Sequence, residues 1–112
     1  MGRDNMADCI ESKIDIRGTG LHLRRGGSGE PMLFLHGASG VTGWIPTFQA
    51  LSESHDLMVP DHPTYGLSDE PDWLDNMDDL AMFYLDFLDQ MDLEGVHLVG
   101  NSLGGWLALE IA

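Results

Sequence analysis

The sequence predicts an α/β fold with a mostly parallel central sheet and flanking helices. Three short, largely apolar runs, at residues 32–35, 57–59 and 96–99, have the length and composition of strands buried on both faces of a parallel sheet. Stretches with helical periodicity lie between these runs and after the last one. Alternating strands and helices favour right-handed crossovers, which place the helices on the faces of the sheet.

The predicted elements follow one another along the whole chain. An opening hairpin is predicted because two alternating stretches, residues 10–17 and 21–25, flank the turn formers Gly18-Thr19-Gly20. The remaining elements are a strand over 32–35, a short helix over 44–52, a strand over 57–59, a long helix over 75–91, a strand over 96–99 and a helical stretch over 105–112.

The long helix carries one apolar stripe that predicts its core-facing side. Its members recur at helical spacing and are Met77, Leu80, Ala81, Tyr84, Leu85 and Leu88. The aromatic residues around this stripe, Phe83, Tyr84 and Phe87, are interpreted as core packing and not as a cofactor site.

Size and charge exclude several classes of function. A chain of 112 residues holds one domain at most, and its net charge of −14 repels phosphate backbones and anionic lipid surfaces. We therefore expect no nucleic-acid and no membrane partner. Cys9 is the only cysteine, which excludes an internal disulfide. Residues 1–7 lack the pattern of a secretory signal, so a cytoplasmic location is expected.

The pentapeptide Gly100-Asn101-Ser102-Leu103-Gly104 has the pattern of a nucleophile elbow, because it connects a predicted strand to a predicted helix. Such a turn lifts a serine hydroxyl clear of the sheet and leaves little room for side chains two residues away on either side. The following helix directs free N–H groups at the site where an oxyanion would develop. Ser102 is therefore the candidate catalytic residue.

The residues after Ser102 contain no partner that could activate it. An elbow of this kind is followed in the chain by an acid and then a histidine. Residues 103–112 contain no histidine and a single carboxylate, Glu110, on the same helix as Ser102. The chain is interpreted as the front part of an enzyme, and the alternative is a small complete domain that ends in a buried helix.

The loop His36-Gly37-Ala38-Ser39-Gly40 follows a central strand and is the candidate partner of the elbow. We expect the N–H groups of Ala38 and Leu103 to form a two-donor oxyanion hole, and Ser39 takes the place of Ala38 if the loop is offset by one residue. His36 is interpreted as a buried residue that orders this loop by hydrogen bonding, not as a general base.

A second loop, residues 61–69, follows the strand over 57–59 and is interpreted as structural. Metal binding by Asp61 and His62 is not favoured, because adjacent residues of an extended segment point in opposite directions. The remaining histidines are assigned to the surface or to satisfied core positions; they are His22, His55 and His97. No cofactor is expected, because neither GxGxxG nor GxxxxGK occurs.

In three motifs, which occur in the family's order, the chain resembles the α/β-hydrolase superfamily: His36-Gly37, Asp61-x-Pro63-x-x-Gly66-x-Ser68-Asp69 and Gly100-x-Ser102-x-Gly104-Gly105. Many members have glycine where this chain has Thr64. In the family, the lid, the triad acid and the triad histidine follow these motifs. The resemblance therefore implies that residues 1–112 are the N-terminal part of a single α/β-hydrolase domain, a truncated α/β-hydrolase fold without those three parts.

This resemblance implies a serine hydrolase with a small acyl substrate. Dehalogenases and epoxide hydrolases have aspartate at the elbow, so Ser102 favours carboxylesterases, lactonases or hydrolases of carbon–carbon bonds, and Gly-Asn-Ser-Leu-Gly-Gly is similar to the last group. The chain alone is expected to be nearly inactive. The alternative is a non-catalytic scaffold completed by a partner chain, since the family's strand order leaves one edge of the 96–99 strand open to self-association.

Overall fold

The computed structural model describes residues 9–112, and the expectation about residues 1–7 lies outside this range. The elements of this part of the chain are β1 (Ile10–Ile16), β2 (Thr19–Gly26), β3 (Glu30–Leu35), α1 (Pro46–Ser52), β4 (His55–Pro60), α2 (Met77–Gln90), β5 (His97–Gly100) and α3 (Leu103–Ile111). In residues 9–112 no helix combines the length and the hydrophobicity that crossing a bilayer requires.

The five strands form one sheet in the order β1-β2-β4-β3-β5. The pairings of β3 with β4 and with β5 are parallel, whereas β1–β2 and β2–β4 are antiparallel. The α/β class is therefore confirmed, with a mixed sheet in which β2 runs against the direction of the other four strands. The predicted turn begins one residue early, at Arg17-Gly18, and Thr19 and Gly20 already belong to β2.

β3 and β5 are neighbours in the sheet, and their carboxyl ends lead into the loop that begins at His36 and into the turn that carries Ser102. Their parallel register pairs Leu35 with Gly100, so the residues after the two strands emerge together. β5 is the terminal strand of the sheet among the described residues.

The core has two parts, one on each face of the sheet. Leu33 and Met58 pack against α2 and α3, whereas their strand neighbours Met32 and Leu57 pack against α1. This alternation is the expected result of strand geometry, in which successive side chains point to opposite faces.

Helix α2 is rotated slightly from the predicted stripe. Leu85 is wrong as a core residue, since 42% of it is exposed. Phe83, Tyr84 and Phe87, which were predicted as core packing, are all buried. The helix also begins two residues later than predicted, because the Asn76 side chain accepts the Asp79 N–H at 2.9 Å and caps it there.

Candidate active site

Ser102 lies at the sharp turn between β5 and α3. Its backbone has φ 57° and ψ −115°, a conformation that costs free energy for any residue with a side chain. The turn is held by Asn101, whose N–H donates to the Leu35 carbonyl at 3.2 Å and whose carbonyl accepts the Gly104 N–H at 2.9 Å. Ser102 is exposed.

The glycines on either side of Ser102 are sterically required. A Cβ on Gly100 would collide with the carbonyl group of Gly104. A Cβ on Gly104 would collide with the carbonyl of Leu35. The steric demand inferred from the sequence therefore comes from backbone atoms. These atoms cannot move aside without distorting β3 or α3.

The loop after β3 lies directly beside this turn. A Cβ built on Gly37 would lie 3.4 Å from the Ser102 Cβ and 2.9 Å from the Asn101 carbonyl oxygen. The Gly40 N–H donates to the Gly37 carbonyl at 3.1 Å, which closes a tight turn over the intervening residues. The structure thus brings the two predicted halves of the site into contact.

The N–H groups of the predicted oxyanion donors have no acceptor among residues 9–112. Those of Ala38 and Leu103 donate to no backbone or side-chain atom, and the same is true of Ser39, the alternative to Ala38. Ala38 directly follows Gly37, and Leu103 is the first residue of α3, where helical N–H groups lack a partner within the helix. An oxyanion hole made by Leu103 with Ala38 or with Ser39 therefore stays a prediction.

His36 orders the loop from beneath, as predicted. The residue is buried, and its Nδ1–H donates to the Gly37 carbonyl at 2.6 Å. Its Nε2 accepts the backbone N–H of His62 at 2.9 Å, so both ring nitrogens are occupied. His36 therefore holds the backbone of this loop in place, and neither of its ring nitrogens is free to take a proton from Ser102.

His62 lies behind His36 in a matching arrangement. The two rings stack with their centroids 3.7 Å apart. His62 Nε2–H donates to the His36 carbonyl at 2.9 Å, and its Nδ1 accepts the hydroxyl proton of Tyr84 at 2.7 Å. Each ring thus carries its proton on the nitrogen that faces a carbonyl, because a carbonyl oxygen only accepts.

Both rings are neutral at pH 7. Burial lowers the pKa of His62 to about 3, with a further contribution from the neighbouring His36. Burial also lowers the pKa of His36. Burial raises the pKa of the Tyr84 hydroxyl well above its ordinary range, so this group remains a donor.

Asp61 organises the second loop from a buried position. Its carboxylate accepts from Arg24 at 2.9 Å and from His22 at 2.8 Å, and it also accepts the Leu67 N–H at 3.2 Å. Burial alone would raise the pKa of Asp61, but the hydrogen bonds from Arg24 and His22 outweigh it and hold the pKa below its ordinary value.

The side chains of Asp61 and His62 face different partners, as expected for adjacent extended residues. Among residues 9–112 no three His, Cys, Asp or Glu side chains converge in a way that could hold a metal ion. Within the second loop, Thr64 adopts φ 83°, in the region that favours glycine.

This fold and elbow have counterparts in known proteins. Residues 30–112 match the family model of the alpha/beta hydrolase fold. The chain belongs to the α/β-hydrolase fold family. It is 33% identical over 108 residues to the 2-hydroxymuconate semialdehyde hydrolase of Pseudomonas sp. strain CF600, covering 92% of this chain and 38% of that protein.

Two further matches extend the comparison. The chain is 30% identical over 92 residues to the dihydrolipoyllysine-residue acetyltransferase component of the acetoin cleaving system of Cupriavidus necator, covering 81% of this chain and 25% of that protein. The crystal structure of a putative lipase from Acinetobacter baumannii superposes with a TM-score of 0.87 at 26% identity, covering 96% of this chain and 38% of that one. The chain thus spans well under half of each.

Not every residue that a hydrolase needs lies beside Ser102. Among the described residues, no histidine or carboxylate side chain hydrogen-bonds to the Ser102 hydroxyl. Two hollows, of about 250 and about 430 Å³, are lined by residues of β1, β2 and α2 and their neighbours and do not include Ser102.

The hydrogen bond from Tyr84 to His62 was not predicted from the sequence. An aromatic residue on a core stripe gives no sign of a partner for its hydroxyl group.

Proposed function

We propose that this chain is the nucleophile-bearing part of a serine hydrolase in which Ser102 forms an acyl-enzyme. The observation that carries the proposal is the strained backbone of Ser102 directly beside the Gly37 loop. Strain of this kind persists only where the surrounding structure enforces it, and it is concentrated at functional sites. The cytoplasmic location expected from the sequence remains part of this proposal.

In the proposed reaction, the Ser102 oxygen attacks the acyl carbon of the substrate, and the electron pair of the carbonyl bond moves onto its oxygen. The N–H groups of Ala38 and Leu103 stabilise that oxyanion. Its collapse expels the leaving group, and water then hydrolyses the acyl-enzyme by the same sequence of steps. A histidine and an acid must move the protons, and residues 103–112 supply no histidine.

The proposed substrates are esters or activated carbon–carbon bonds next to a carbonyl group. The similarity to a 2-hydroxymuconate semialdehyde hydrolase supports the second class. The serine at the elbow supports both classes, since each requires an oxygen nucleophile that attacks an acyl carbon.

A chimera tests the proposal. Residues 1–112 are joined to the part of the Pseudomonas sp. hydrolase that follows its matching region, and hydrolysis of p-nitrophenyl acetate and 2-hydroxymuconate semialdehyde is measured. We expect turnover that falls at least about a thousandfold in Ser102→Ala. Ser39→Ala, which keeps every backbone N–H, is the control and is expected to retain activity. Equal activity of the parent chimera and Ser102→Ala would refute the role of Ser102.

The 112-residue chain is proposed to be nearly inactive by itself, because its nucleophile lacks a base. The same assay applied to this chain should give the background rate. Turnover by the 112-residue chain that disappears in Ser102→Ala would overturn this part of the proposal.

A second proposal is self-association through the open edge of β5. Trp106 and Leu109 on helix α3, which packs against β5, are 56% and 77% exposed, so α3 presents exposed apolar side chains. Sedimentation velocity should show dimers or larger species that dissociate in Leu109→Lys, with Met82→Lys on α2 as the matched exposed control. A single monomer boundary at all concentrations would exclude this association.

A further inference from the structure

Two buried side chains that take no part in the proposed chemistry connect helix α2 to the loop beside Ser102. Tyr84 is fully buried, and its hydroxyl donates to His62 Nδ1 at 2.7 Å. We infer that Tyr84 and His62 are positioning residues that orient the Ala38 N–H toward the oxyanion site. The inference rests on the proposed function and extends it to two residues that never touch the substrate.

The orientation follows from the planarity of one peptide unit. The Gly37 carbonyl and the Ala38 N–H belong to the same trans peptide, so fixing the direction of one fixes the other in the opposite direction. The Gly37 carbonyl is fixed by His36 Nδ1–H at 2.6 Å. The plane of the His36 ring therefore determines where the Ala38 N–H points.

His62 in turn fixes the His36 ring and backbone. Its backbone N–H donates to His36 Nε2 at 2.9 Å, and its ring stacks on the His36 ring at 3.7 Å. Its Nε2–H also donates to the His36 carbonyl at 2.9 Å. Movement of the loop away from the turn would break several of these contacts together.

Tyr84 completes the arrangement by determining the orientation of the His62 ring. With its proton on Nε2, His62 presents an unprotonated Nδ1 in a fully buried position, where an acceptor without a donor costs free energy. The Tyr84 hydroxyl supplies that donor. A ring flip of His62 would leave both the hydroxyl and the His36 carbonyl without partners, so Tyr84 selects one orientation.

Amide hydrogen exchange in the 112-residue chain tests this inference. Reporters are the Gly40 N–H, which donates to the Gly37 carbonyl, and the His62 N–H. In Tyr84→Phe both should exchange about fivefold faster or more, in line with the loss of one buried hydrogen bond. The Leu93 N–H, bonded to the Leu88 carbonyl at 3.0 Å beyond the end of α2, should be unchanged.

Tyr65→Phe is the matched control, because it removes the same atom from a neighbouring ring. The Tyr65 ring packs edge-on to His36 with centroids 4.7 Å apart, but within residues 9–112 its hydroxyl makes no hydrogen bond. The reporters should not respond to this change. Equal acceleration in both variants, or acceleration that includes Leu93 to the same extent, would overturn the inference.

A rescue experiment separates positioning from packing. His62→Gln keeps a side-chain N–H for the His36 carbonyl, whereas His62→Leu does not. We expect slower Gly40 exchange in the Gln variant than in the Leu variant, and equal rates would contradict a positioning role for His62.

Catalysis provides an independent readout in the chimera. Tyr84→Phe should lower kcat about tenfold with little change in KM, since an oxyanion donor acts mainly in the transition state. An unchanged kcat would refute the role of Tyr84 in catalysis. If Ser102→Ala retains activity while the exchange result holds, the proposed function fails and the structural coupling stands. If Ser102 is essential but Tyr84→Phe exchanges normally, only the present inference fails.

Discussion

The Leu35 carbonyl oxygen accepts the Asn101 N–H at 3.2 Å. This hydrogen bond joins the last residue of β3 to the turn that carries Ser102, beyond the point where the ladder between β3 and β5 ends. The same carbonyl lies where a Cβ on Gly104 would have to go. The loop and the nucleophile turn are therefore held at a fixed separation by backbone atoms alone.

Gly104→Ala should destabilise the protein by about 3 kcal/mol or more, because the new methyl group would overlap the Leu35 carbonyl. Gly105→Ala is the adjacent control. Its Cβ would lie 3.6 Å from the Gly100 carbonyl oxygen, an ordinary contact, and alanine is favoured in a helix by up to about 1 kcal/mol. Urea unfolding measures the stability of both variants. Similar midpoints for the two would contradict a steric requirement for glycine at position 104.

Thr64→Gly should stabilise the protein by about 1 kcal/mol. Thr64 has φ 83°, which is strained for a β-branched residue and unstrained for glycine. Thr42 is exposed and does not have a positive φ, so Thr42→Gly should instead cost about 0.5 kcal/mol or more through the entropy of the unfolded chain. Thermal unfolding that shows both variants destabilised would disprove strain at Thr64.

Stability should decrease as the pH falls from about 6.5, the ordinary pKa of histidine, toward the His62 pKa of about 3. In this window the unfolded chain binds a proton that buried His62 does not, so protonation favours unfolding by up to about 1.4 kcal/mol per pH unit. Above this window the effect vanishes. Urea titrations between about pH 5 and pH 7.5 should show a smaller slope for His62→Gln than for the parent, and equal slopes would argue against a neutral buried His62.

Asp61→Asn should cost about 3 kcal/mol or more, because Arg24 and His22 would lose the carboxylate that they share in a buried site. Asp86→Asn provides the contrast, since its ion pair with Arg17 at 3.2 Å is on the surface. Such pairs contribute about 1 kcal/mol at most. Chemical denaturation measures the free energy of unfolding of both variants. An equal decrease in the two would mean that the buried Asp61 carboxylate does not stabilise the fold more than a surface ion pair does.

The parts of the site that the sequence predicted are those encoded within a few residues. The pattern of Gly100, Ser102 and Gly104 identifies the strand–turn–helix unit within five residues. The steric demand at Gly100 comes from nearby Gly104, whereas that at Gly104 comes from Leu35 on the distant strand β3. His36 was likewise predicted to order its own loop, and its bond to the Gly37 carbonyl is a contact between neighbours.

The parts that the sequence did not predict depend on distant contacts. Tyr84 and His62 are separated by 22 residues, and His22 and Asp61 by 39, so each pairing requires the sheet order to be known. The antiparallel pairing of β2 with β4 was not predicted either, because it joins residues 23–26 to residues 57–60, which are far apart in the sequence. Leu85 was wrongly predicted as a core residue for a similar reason, since neighbouring positions on one helix differ only in what packs against them.

The most direct test of the central claim is to map the acylated residue. The chimera is mixed with p-nitrophenyl acetate, quenched in acid within its first turnovers, digested and analysed by mass spectrometry. We expect one acetyl group, on the peptide that contains Ser102. In a sample left at neutral pH before the quench, this acetyl group should disappear as water hydrolyses the acyl-enzyme. Acetylation at another residue, with turnover unchanged by Ser102→Ala, would contradict it.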